Sequence, residues 1–416
     1  MTARTTTTTK TTAWQVRWDA ALMANYGTPP VVLASGSGAV VTDVDGREFL
    51  DLLGGIAVNL LGHAHPAVVE AVSRQIGTLG HTSNLMAHPL GIELAERLRD
   101  LVGAGPDSRV LFTSSGAEAN EAALKLARRL RPGGGWVACE GAFHGRTMGA
   151  LAVTGQPDKR TPFEPLPGPV TFVPYGDVEA LRAAVTDTTA SVVLEPVMGE
   201  AGVVIPPPGF LEGAREACDR AGALLHLDEV QGGVGRVGDW LTSRVLAPDV
   251  VPDVVTLAKA LGGGLPIGAV VANGRAAQAF GKGDHGSTFG GGPVAAAAAL
   301  AVLRTVDEEG LLEASQRLGE HLRDGLEALG SPLVREVRGL GLWVGIVLTA
   351  PVASAVEAAA RDAGFLINAA GPDVLRLAPP LIVTRAQLDS FLGALPGILS
   401  SDRVIAACES VPASTP

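Results

Sequence analysis

The stretch TLAKALGGGLPIGA, residues 256–269, places a lysine between an apolar run and three consecutive glycines. The apolar run, residues 254–258, is bounded by Pro252 and Gly262, and this pattern predicts a short buried strand. Lys259 therefore leaves the end of a strand close to the core, where a charged ammonium group is costly to bury. Two interpretations fit this segment alone: a solvated lysine in a surface loop, or a lysine with a chemical reason to be uncharged.

The length, charge and cysteine content limit the classes of protein to consider. The chain has 416 residues and a formal net charge of −11, from 32 Lys and Arg against 43 Asp and Glu. This length predicts more than one domain, and the acidic charge disfavours nucleic acid and anionic membranes as partners. The longest apolar run, residues 294–303, has about half of the roughly 20 residues that a membrane helix needs. Three widely spaced cysteines predict no disulfide framework and no metal site, and they favour a cytoplasmic location.

Alternating helical and apolar segments predict the architecture. Strands are predicted at residues 110–113, 136–139, 191–195, 223–227 and 254–258. Segments of helical periodicity separate them, so we predict an α/β fold with a mainly parallel central sheet in a large domain. An Asp45-Gly46 turn predicts a hairpin near the amino terminus. The predicted organisation is a disordered leader (1–13), a segment that joins the small domain (14–70), the large domain (71–305), a smaller α/β domain (306–408) and a tail (409–416).

The residues that follow the predicted strands are the candidates for a site, because ligands of open parallel sheets bind beyond the carboxyl ends of the strands. After residues 110–113, Ser115 and Glu118 have the spacing of a capping box. The backbone N–H groups of Gly116 and Ala117 are then free at a helix start, which suits a phosphate group. An ordinary capped helix is the alternative interpretation.

Two further strand ends carry an aromatic ring and a carboxylate. The loop EGAFHGRT, residues 140–147, presents Phe143 and Arg146, for which a packed ring and a solvated guanidinium are the alternative. Asp228 follows the run 223–227, and it needs a cationic or hydrogen-bonding partner unless it caps the next helix. An amine, an acid, a stacking surface and an anion site are together what pyridoxal phosphate (PLP) requires. No dinucleotide-binding or P-loop motif competes with this interpretation.

From about residue 26 to residue 395 the chain resembles the class III, or subgroup II, PLP-dependent aminotransferases. The resemblance rests on motifs in the family's order and spacing: SSGAEANEAALKLAR, AFHGRTMGAL, EPVMGEAGV, LHLDEVQGGVGR, TLAKALGGGLPIGA, GSTFGG and LRLAPPL. It implies the fold type I architecture of PLP-dependent transferases. Through GTLGHTSNL, LTAP and NAAGPDVLRLAPPL the chain is most similar to the acetylornithine branch of this family.

The resemblance implies a role for individual residues around the cofactor. Lys259 would form the Schiff base and then move the proton, and Asp228 would pair with the pyridinium nitrogen. The other implied cofactor contacts are Phe143 on one face of the ring, Val230 on the other, Gln231 near the phenolic oxygen, and Ser115, Gly116 and Ala117 at the phosphate. Thr288 would reach the phosphate of a partner subunit, which implies a homodimer, and Ser287 would lie near the substrate.

The resemblance also implies two alternating small-molecule substrates. Arg146 would hold the carboxylate of the donor, and Arg376 would hold the α-carboxylate of 2-oxoglutarate. Glu200 would pair with Arg376 while the donor is bound; the alternative is that Glu200 and Arg376 form a plain salt bridge with no role in binding. The implied reaction moves the δ-amino group of N2-acetylornithine to 2-oxoglutarate, a step of arginine biosynthesis. Ornithine, 4-aminobutyrate and succinyl-diaminopimelate are alternative donors. An aminomutase and a non-catalytic PLP-binding module are alternatives of other classes.

Three positions depart from the family pattern. Gly232 stands where the family usually has Thr, Gly292 where it usually has Asn, and Met86 where the acetylornithine branch commonly has Tyr. None of them is a residue expected to carry the chemistry, so they bear on substrate preference and loop stiffness. Most of the histidines are expected to be structural, with His144 the one that lines the site.

Overall fold

The computed structural model of the protein describes residues 9–103 and 105–411. The strands are β1 (Leu33–Ser37), β2 (Val40–Asp43), β3 (Glu48–Asp51), β4 (Arg109–Thr113), β5 (Gly135–Cys139), β6 (Val170–Val173), β7 (Thr189–Leu194), β8 (Leu224–Asp228), β9 (Val254–Leu257), β10 (Gly268–Ala272), β11 (Val334–Leu340), β12 (Trp343–Leu348), β13 (Phe365–Leu366), β14 (Asn368–Ala369) and β15 (Val374–Leu377).

The helices are α1 (Lys10–Ala21), α2 (Gly54–Ala57), α3 (Pro66–Ile76), α4 (Pro89–Val102), α5 (Gly116–Leu130), α6 (Met148–Ala152), α7 (Pro157–Arg160), α8 (Val178–Ala184), α9 (Phe210–Ala221), α10 (Thr242–Leu246), α11 (Pro293–Glu308), α12 (Leu311–Ala328), α13 (Ala353–Asp362), α14 (Arg385–Leu399) and α15 (Asp402–Glu409). Short 3₁₀ helices cover Thr161–Phe163, Lys259–Gly262 and Ala276–Gln278.

The central sheet has the strand order β4-β10-β9-β8-β7-β5-β6. Its strands from β9 to β6 pair in parallel, whereas β10 runs antiparallel to both β9 and β4. The prediction of a mainly parallel sheet is therefore confirmed, with each predicted strand found within two residues of its expected ends. Strands β6 and β10 were not predicted, because their short apolar runs lie beside Pro- and Gly-rich segments that indicate loops.

Helices cover both faces of this sheet. Successive residues of a strand point to opposite faces, and the two sets of side chains in β7 and β8 belong to different apolar clusters. Val193 and Leu224 pack in the cluster that contains α5, whereas Val192 and Leu225 pack in the cluster that contains α9. The strands are buried on both sides, so their carboxyl ends are the part of the sheet that a ligand can reach.

Residues from the two ends of the chain form a second sheet of order β1-β2-β3-β13. The predicted Asp45-Gly46 turn is confirmed, since β2 and β3 on either side of it pair antiparallel. Strand β3 pairs in parallel with β13, which brings the amino-terminal segment beside the carboxy-terminal part. A third sheet has the order β11-β12-β15-β14. The division of the chain into domains remains a prediction.

The predicted leader is wrong for residues 10–13, which belong to helix α1. The side chain of Thr9 accepts the backbone N–H of Thr12 and caps this helix, although none of its residues is buried. Residues 1–8 and 412–416 lie outside the described residues, and helix α15 extends to Glu409. In the described part of the chain no single helix is long and apolar enough to cross a membrane, while the bent pair Arg385–Leu399 and Asp402–Glu409 passes that test by length and composition.

Candidate active site

A cavity of about 420 Å³ lies beyond the carboxyl ends of β5, β7, β8 and β9. It brings together residues predicted from four separate segments of the chain. The predicted site residues that line it are Ser115, Gly116, Ala117, Phe143, Arg146, Asp228, Val230, Gln231 and Lys259. His144, the histidine expected at the site, lines it as well.

Lys259 follows β9 after one residue and begins the 3₁₀ helix Lys259–Gly262. Its backbone has φ of 42°, a left-handed conformation that is uncommon for a residue with a side chain. Such strain persists only where the surrounding structure imposes it, and it is concentrated at functional sites. Burial lowers the pKa of the Lys259 ammonium, although the Glu200 carboxylate acts in the opposite direction. Of the two interpretations of the sequence, the structure therefore disfavours a fully solvated lysine in a surface loop.

Asp228, at the end of β8, is held as a carboxylate by two side chains. Its Oδ2 accepts hydrogen bonds from Nδ2 of Asn120 and from Nδ1 of His144, each at 2.7 Å. Burial is the largest single effect and opposes ionisation, but the hydrogen bond and the charge of His144, with smaller contributions from His226 and the N–H of Val230, together keep the pKa of Asp228 below its usual range. The same contact with Asp228 raises the pKa of the buried His144 against its own burial. Asp228 and His144 therefore form a buried ion pair at the wall of the cavity.

The start of helix α5 lies where the sequence predicted an anion site. Oγ of Ser115 accepts the backbone N–H of Glu118 at 3.2 Å, as an N-cap does. The Glu118 carboxylate, however, accepts the N–H of Ser114 and not that of Ser115, so the predicted capping box is shifted by one residue. A Cβ added at Gly116 would lie 2.7 Å from Cγ1 of Val230, so only glycine fits there. The helix start thus offers backbone N–H groups to a phosphate at a closely packed wall.

Glu200 and Arg376 form an ion pair next to the cavity, with Nη1 of Arg376 2.6 Å from Oε1 of Glu200. Arg376 also donates to the side chains of Gln231 at 2.8 Å and Asn368 at 2.8 Å. Although burial opposes ionisation, the Arg376 guanidinium lowers the pKa of Glu200 to about 2. Neither residue of the pair lines the cavity, but Gln231 does, so the pair lies directly behind the cavity wall.

The loop that carries Ser287 and Thr288 does not line this cavity. The carbonyl oxygen of Ser287 accepts a hydrogen bond from Nδ2 of Asn84 at 2.8 Å, and that of Gly290 accepts a second one at 3.1 Å. The side chain of Thr288 is exposed. Within one chain the structure therefore separates these two predicted site residues from the others.

Two residues of the site were missed in the sequence. Asn120 lies in α5 and links Asp228 to Thr256, whose hydroxyl donates to Oδ1 of Asn120 at 2.8 Å. Glu195 directly follows β7, was predicted as the last residue of that strand, and lines the cavity. It accepts the N–H groups of Phe143 at 2.8 Å and Gly199 at 3.2 Å, and burial raises its pKa to about 7. A carboxylate at a strand end was the available signal, the same one that identified Asp228.

The departures from the family pattern have different structural settings. A Cβ at Gly232 would overlap Oγ1 of Thr242 and lie 3.0 Å from Cζ3 of the buried Trp343, so neighbouring side chains fill the space of the usual threonine. Gly292 is the N-cap of α11 and makes no side-chain capping bond. Met86 is 68% exposed. In the described residues there is no group of three or more His, Cys, Asp or Glu side chains arranged to hold a metal ion.

Comparison with known proteins places the chain in a family. The family model "Aminotransferase class-III" matches residues 22–399. An acetylornithine aminotransferase of Mycobacterium tuberculosis is 62% identical over 399 residues, which are 96% of this chain and 98% of that protein. The chain belongs to the class-III aminotransferases.

Two solved structures of class-III relatives share the fold. An N-acetylornithine aminotransferase of Stenotrophomonas maltophilia is 37% identical with a TM-score of 0.79, covering 92% of this chain and 99% of that one. An ornithine aminotransferase of Toxoplasma gondii, in a structure with partial occupancy of PLP at its active site, is 30% identical with a TM-score of 0.88, covering 97% and 96%. The predicted family and fold are confirmed.

Proposed function

We propose that this protein is a PLP-dependent aminotransferase that moves the δ-amino group of N2-acetylornithine to 2-oxoglutarate, giving N-acetylglutamate 5-semialdehyde and glutamate for arginine biosynthesis. The observation that carries the proposal is the Glu200–Arg376 pair behind a cavity that holds Lys259 and Asp228. A pair that can open suits an enzyme whose two substrates differ at the end that lies next to the cofactor. The identity to acetylornithine aminotransferases over nearly the whole chain supports the choice of donor.

The cavity residues fit the cofactor. The free N–H groups at the start of α5 suit its phosphate, the Asp228 carboxylate suits a protonated ring nitrogen, and Phe143 and Val230 offer apolar surfaces for the ring. Lys259 would attach covalently to its aldehyde carbon. When bound, PLP supplies an electron sink for the carbon that loses a proton.

Lys259 would then be the general base and acid of both half-reactions. Its lowered pKa, caused by burial, leaves more of the amine neutral near pH 7 than for a solvated lysine. Nζ would take the proton from the carbon that bears the transferred amine and return it on the cofactor side. Asp228 would hold its negative charge throughout, because His144 and Asn120 both donate to it.

The arginines would sort the two substrates. Arg146 lines the cavity, is exposed to solvent, and would bind the donor carboxylate. While the donor is bound, Arg376 stays neutralised by Glu200. With 2-oxoglutarate, the α-carboxylate would replace Glu200 at Arg376, and the second carboxylate would take the place of the donor carboxylate at Arg146. Ser287 would lie near the substrate.

We also propose a homodimer in which Thr288 reaches the phosphate site of the partner subunit. In support, the exposed Thr288 lies on a loop held by Asn84, beside large exposed apolar side chains. Leu85 is 88% exposed, Met86 68% and Phe289 70%. Such clustered apolar exposure is typical of an interface. The three free cysteines fit the cytoplasmic location that we propose.

A donor panel tests the proposed reaction. Purified protein with PLP and 2-oxoglutarate is given N2-acetylornithine, ornithine, 4-aminobutyrate or succinyl-diaminopimelate, and glutamate formation is measured. We expect the highest kcat/KM with N2-acetylornithine, no turnover without 2-oxoglutarate, and none in the K259A variant. A higher kcat/KM for ornithine would favour the function named for the Toxoplasma gondii relative. Turnover without an acceptor would favour an aminomutase.

Mixed dimers test the shared site. Subunits carrying K259A and subunits carrying T288A are combined by refolding or co-expression. If Thr288 serves the partner's site, each mixed dimer has one intact site and one site with both defects. Half of the sites in a mixed dimer should then bind PLP with the dissociation constant of the wild type. A monomer by sedimentation, or a mixture with only the weakened affinity of T288A dimers, would contradict the proposal.

A further inference from the structure

A second cation lies beside the ring of Phe143, outside the residues to which the resemblance gives a role. Nζ of Lys159, in helix α7, lies 5.2 Å from the centroid of the Phe143 ring. Cζ of Arg146 lies 5.7 Å from the same centroid. Because Phe143 and Arg146 line the cavity, Lys159 brings a second positive charge to its donor-carboxylate side.

Neither cation forms a salt bridge with a carboxylate among the described residues. In the described part of the chain no Asp or Glu oxygen lies within 4.0 Å of the charged groups of Arg146 and Lys159. Among the described residues, Nζ of Lys159 donates its one side-chain hydrogen bond to the neutral Oε1 of Gln156, and Nε2 of Gln156 donates to the carbonyl oxygen of Gly141 at 3.0 Å. Arg376, in contrast, is already paired with Glu200. The cavity mouth at Phe143 therefore carries two unpaired positive charges.

The half-buried setting of Lys159 makes its charge effective. Burial, and after it the Arg146 guanidinium, lowers the pKa of Lys159, while the Glu200 carboxylate raises it. Lys159 is thus coupled to both groups that are proposed to handle the substrates. An anion placed between the two cations would stabilise both, whereas a bound ammonium group would meet repulsion from both.

We propose that Lys159 is a substrate-binding residue that acts with Arg146 on the end of the donor that carries the α-carboxylate, here called the inner end. Together they select donors whose inner end has a net negative charge. This inference rests on the proposed function and specifies why the donor is acylated. In an N2-acylated donor the carboxylate is the only charge at that end. In ornithine the α-ammonium cancels the carboxylate, so the two cations gain much less from binding it.

Steady-state kinetics of the holoenzyme test the inference through K159M, which keeps most of the length of the side chain and removes its charge. We expect the ratio of kcat/KM for N2-acetylornithine to that for ornithine to fall about five- to tenfold. This is the effect of a unit charge roughly 7 Å away at an effective dielectric constant of about 40. The change should lie in KM with kcat nearly constant, because the contact is the same in the ground and transition states.

Charge-matched variants separate this effect from a structural one. R160Q removes the same charge from the next residue of α7, whose guanidinium lies over the Phe172 ring with Cζ 4.0 Å from the centroid. We expect R160Q to leave the ratio unchanged, K159R to restore most of it, and K159E to lower it further than K159M.

A binding measurement supplies a readout that does not depend on turnover. N-acetylnorvaline has the inner end of the donor without the reactive amine, and its carboxamide lacks the negative charge. By calorimetry on the holoenzyme, K159M should weaken binding of the acid about five- to tenfold and leave binding of the carboxamide unchanged.

Failure of the proposed function and failure of the role of Lys159 give different results. A wild-type enzyme that does not transaminate N2-acetylornithine refutes the proposed function. A wild-type enzyme that does, together with a K159M variant whose substrate ratio and acid affinity are unchanged, refutes only the role of Lys159.

Discussion

Restoring the family's threonine at position 232 should destabilise this protein. The Cβ of Gly232→Thr would overlap Oγ1 of Thr242 and come within 3.0 Å of Cζ3 of Trp343. Thr242 and Trp343 are fully buried, so neither can move into solvent to relieve the overlap. Gly199, on the other side, limits the indole too, because its own Cβ would lie 2.7 Å from Cζ2. The indole therefore fills a slot between two glycines.

The expected cost follows from overpacking a rigid core. Inserting a side chain into a filled site costs about 1–3 kcal/mol, and the residual overlap with a buried hydroxyl points to the upper half of that range. Thr242→Ala should cost about 1 kcal/mol by itself, because it removes buried methyl contacts and the interaction of Oγ1 with the nearby Glu229 carboxylate, which keeps its hydrogen bonds from the backbone N–H groups of Thr242 and Ser243. In the double variant the overlap with Oγ1 is gone, so we expect a favourable coupling of about 1–2 kcal/mol.

Thermal unfolding of the wild type, the two single variants and the double variant measures this coupling, at one fixed PLP concentration because bound cofactor shifts the midpoint. Gly232→Thr should unfold at the lowest temperature and the double variant should recover most of the loss. Gly393→Thr is the matched control, since an added Cβ there has nothing within 4 Å. Equal midpoints for the wild type and Gly232→Thr, or strictly additive effects, would falsify the packing argument.

Three further predictions concern charge and capping. Glu195→Gln should make the free energy of unfolding less dependent on pH. Burial raises the pKa of Glu195 from 4.5 to about 7, so protonation of Glu195 stabilises the folded wild type fully below pH 4.5, and this stabilisation is lost as the pH rises through about 7. The melting temperature of the variant minus that of the wild type should therefore increase from pH 4.5 to about 7. Glu200→Gln should lower the KM for 2-oxoglutarate about tenfold, because Arg376 is then free to bind its carboxylate. The same change should destabilise the fold by about 3 kcal/mol, because Arg376 stays buried without a counter-charge. Steady-state kinetics measure the first effect and thermal unfolding the second. Gly292→Asn should raise the stability by a few tenths of a kcal/mol by capping α11, measured as a small rise in the melting midpoint.

Much of the fold was predictable because its signal is local. Strands β5, β7, β8 and β9 are short, mainly apolar segments that are buried almost throughout, as burial on both faces requires, and β4 is a similar apolar segment at the edge of the sheet. Strand β10 was missed although GAVVA is apolar, because it follows a Gly-Pro-rich turn closely and its antiparallel direction has no counterpart in the alternating pattern. Helix α1 was missed because threonines are weak helix formers and the helix buries nothing, so no apolar periodicity marked it.

The site residues, too, divide into those with a local signal in the sequence and those without one. Residues directly after strands could be predicted, because parallel strands end at one edge of the sheet. Arg376 and Glu200, separated in sequence by 176 residues, came only from the family resemblance, since no local pattern relates them. Lys159 and Asn120 were missed for another reason: a lysine between an aspartate and an arginine and an asparagine in a helix are ordinary surface residues in sequence terms, and only the fold brings them to Phe143 and Asp228.

Asp228 and Glu195 show why a strand-end carboxylate has no fixed charge state. Both lie at the carboxyl ends of buried strands of the same sheet, both are about 95% buried, and in both burial acts to raise the pKa. Asp228 receives hydrogen bonds from a cationic imidazole and an amide at 2.7 Å, and its pKa falls below the usual range. Among the described residues Glu195 accepts hydrogen bonds from two backbone N–H groups, and these together with the charge of His144 are too weak to offset burial, so its pKa rises to about 7. Near neutral pH Asp228 is therefore a fixed anion, suited to a protonated ring nitrogen, whereas Glu195 exchanges its proton. Hydrogen-bond partners from other segments of the chain determine this difference in charge state.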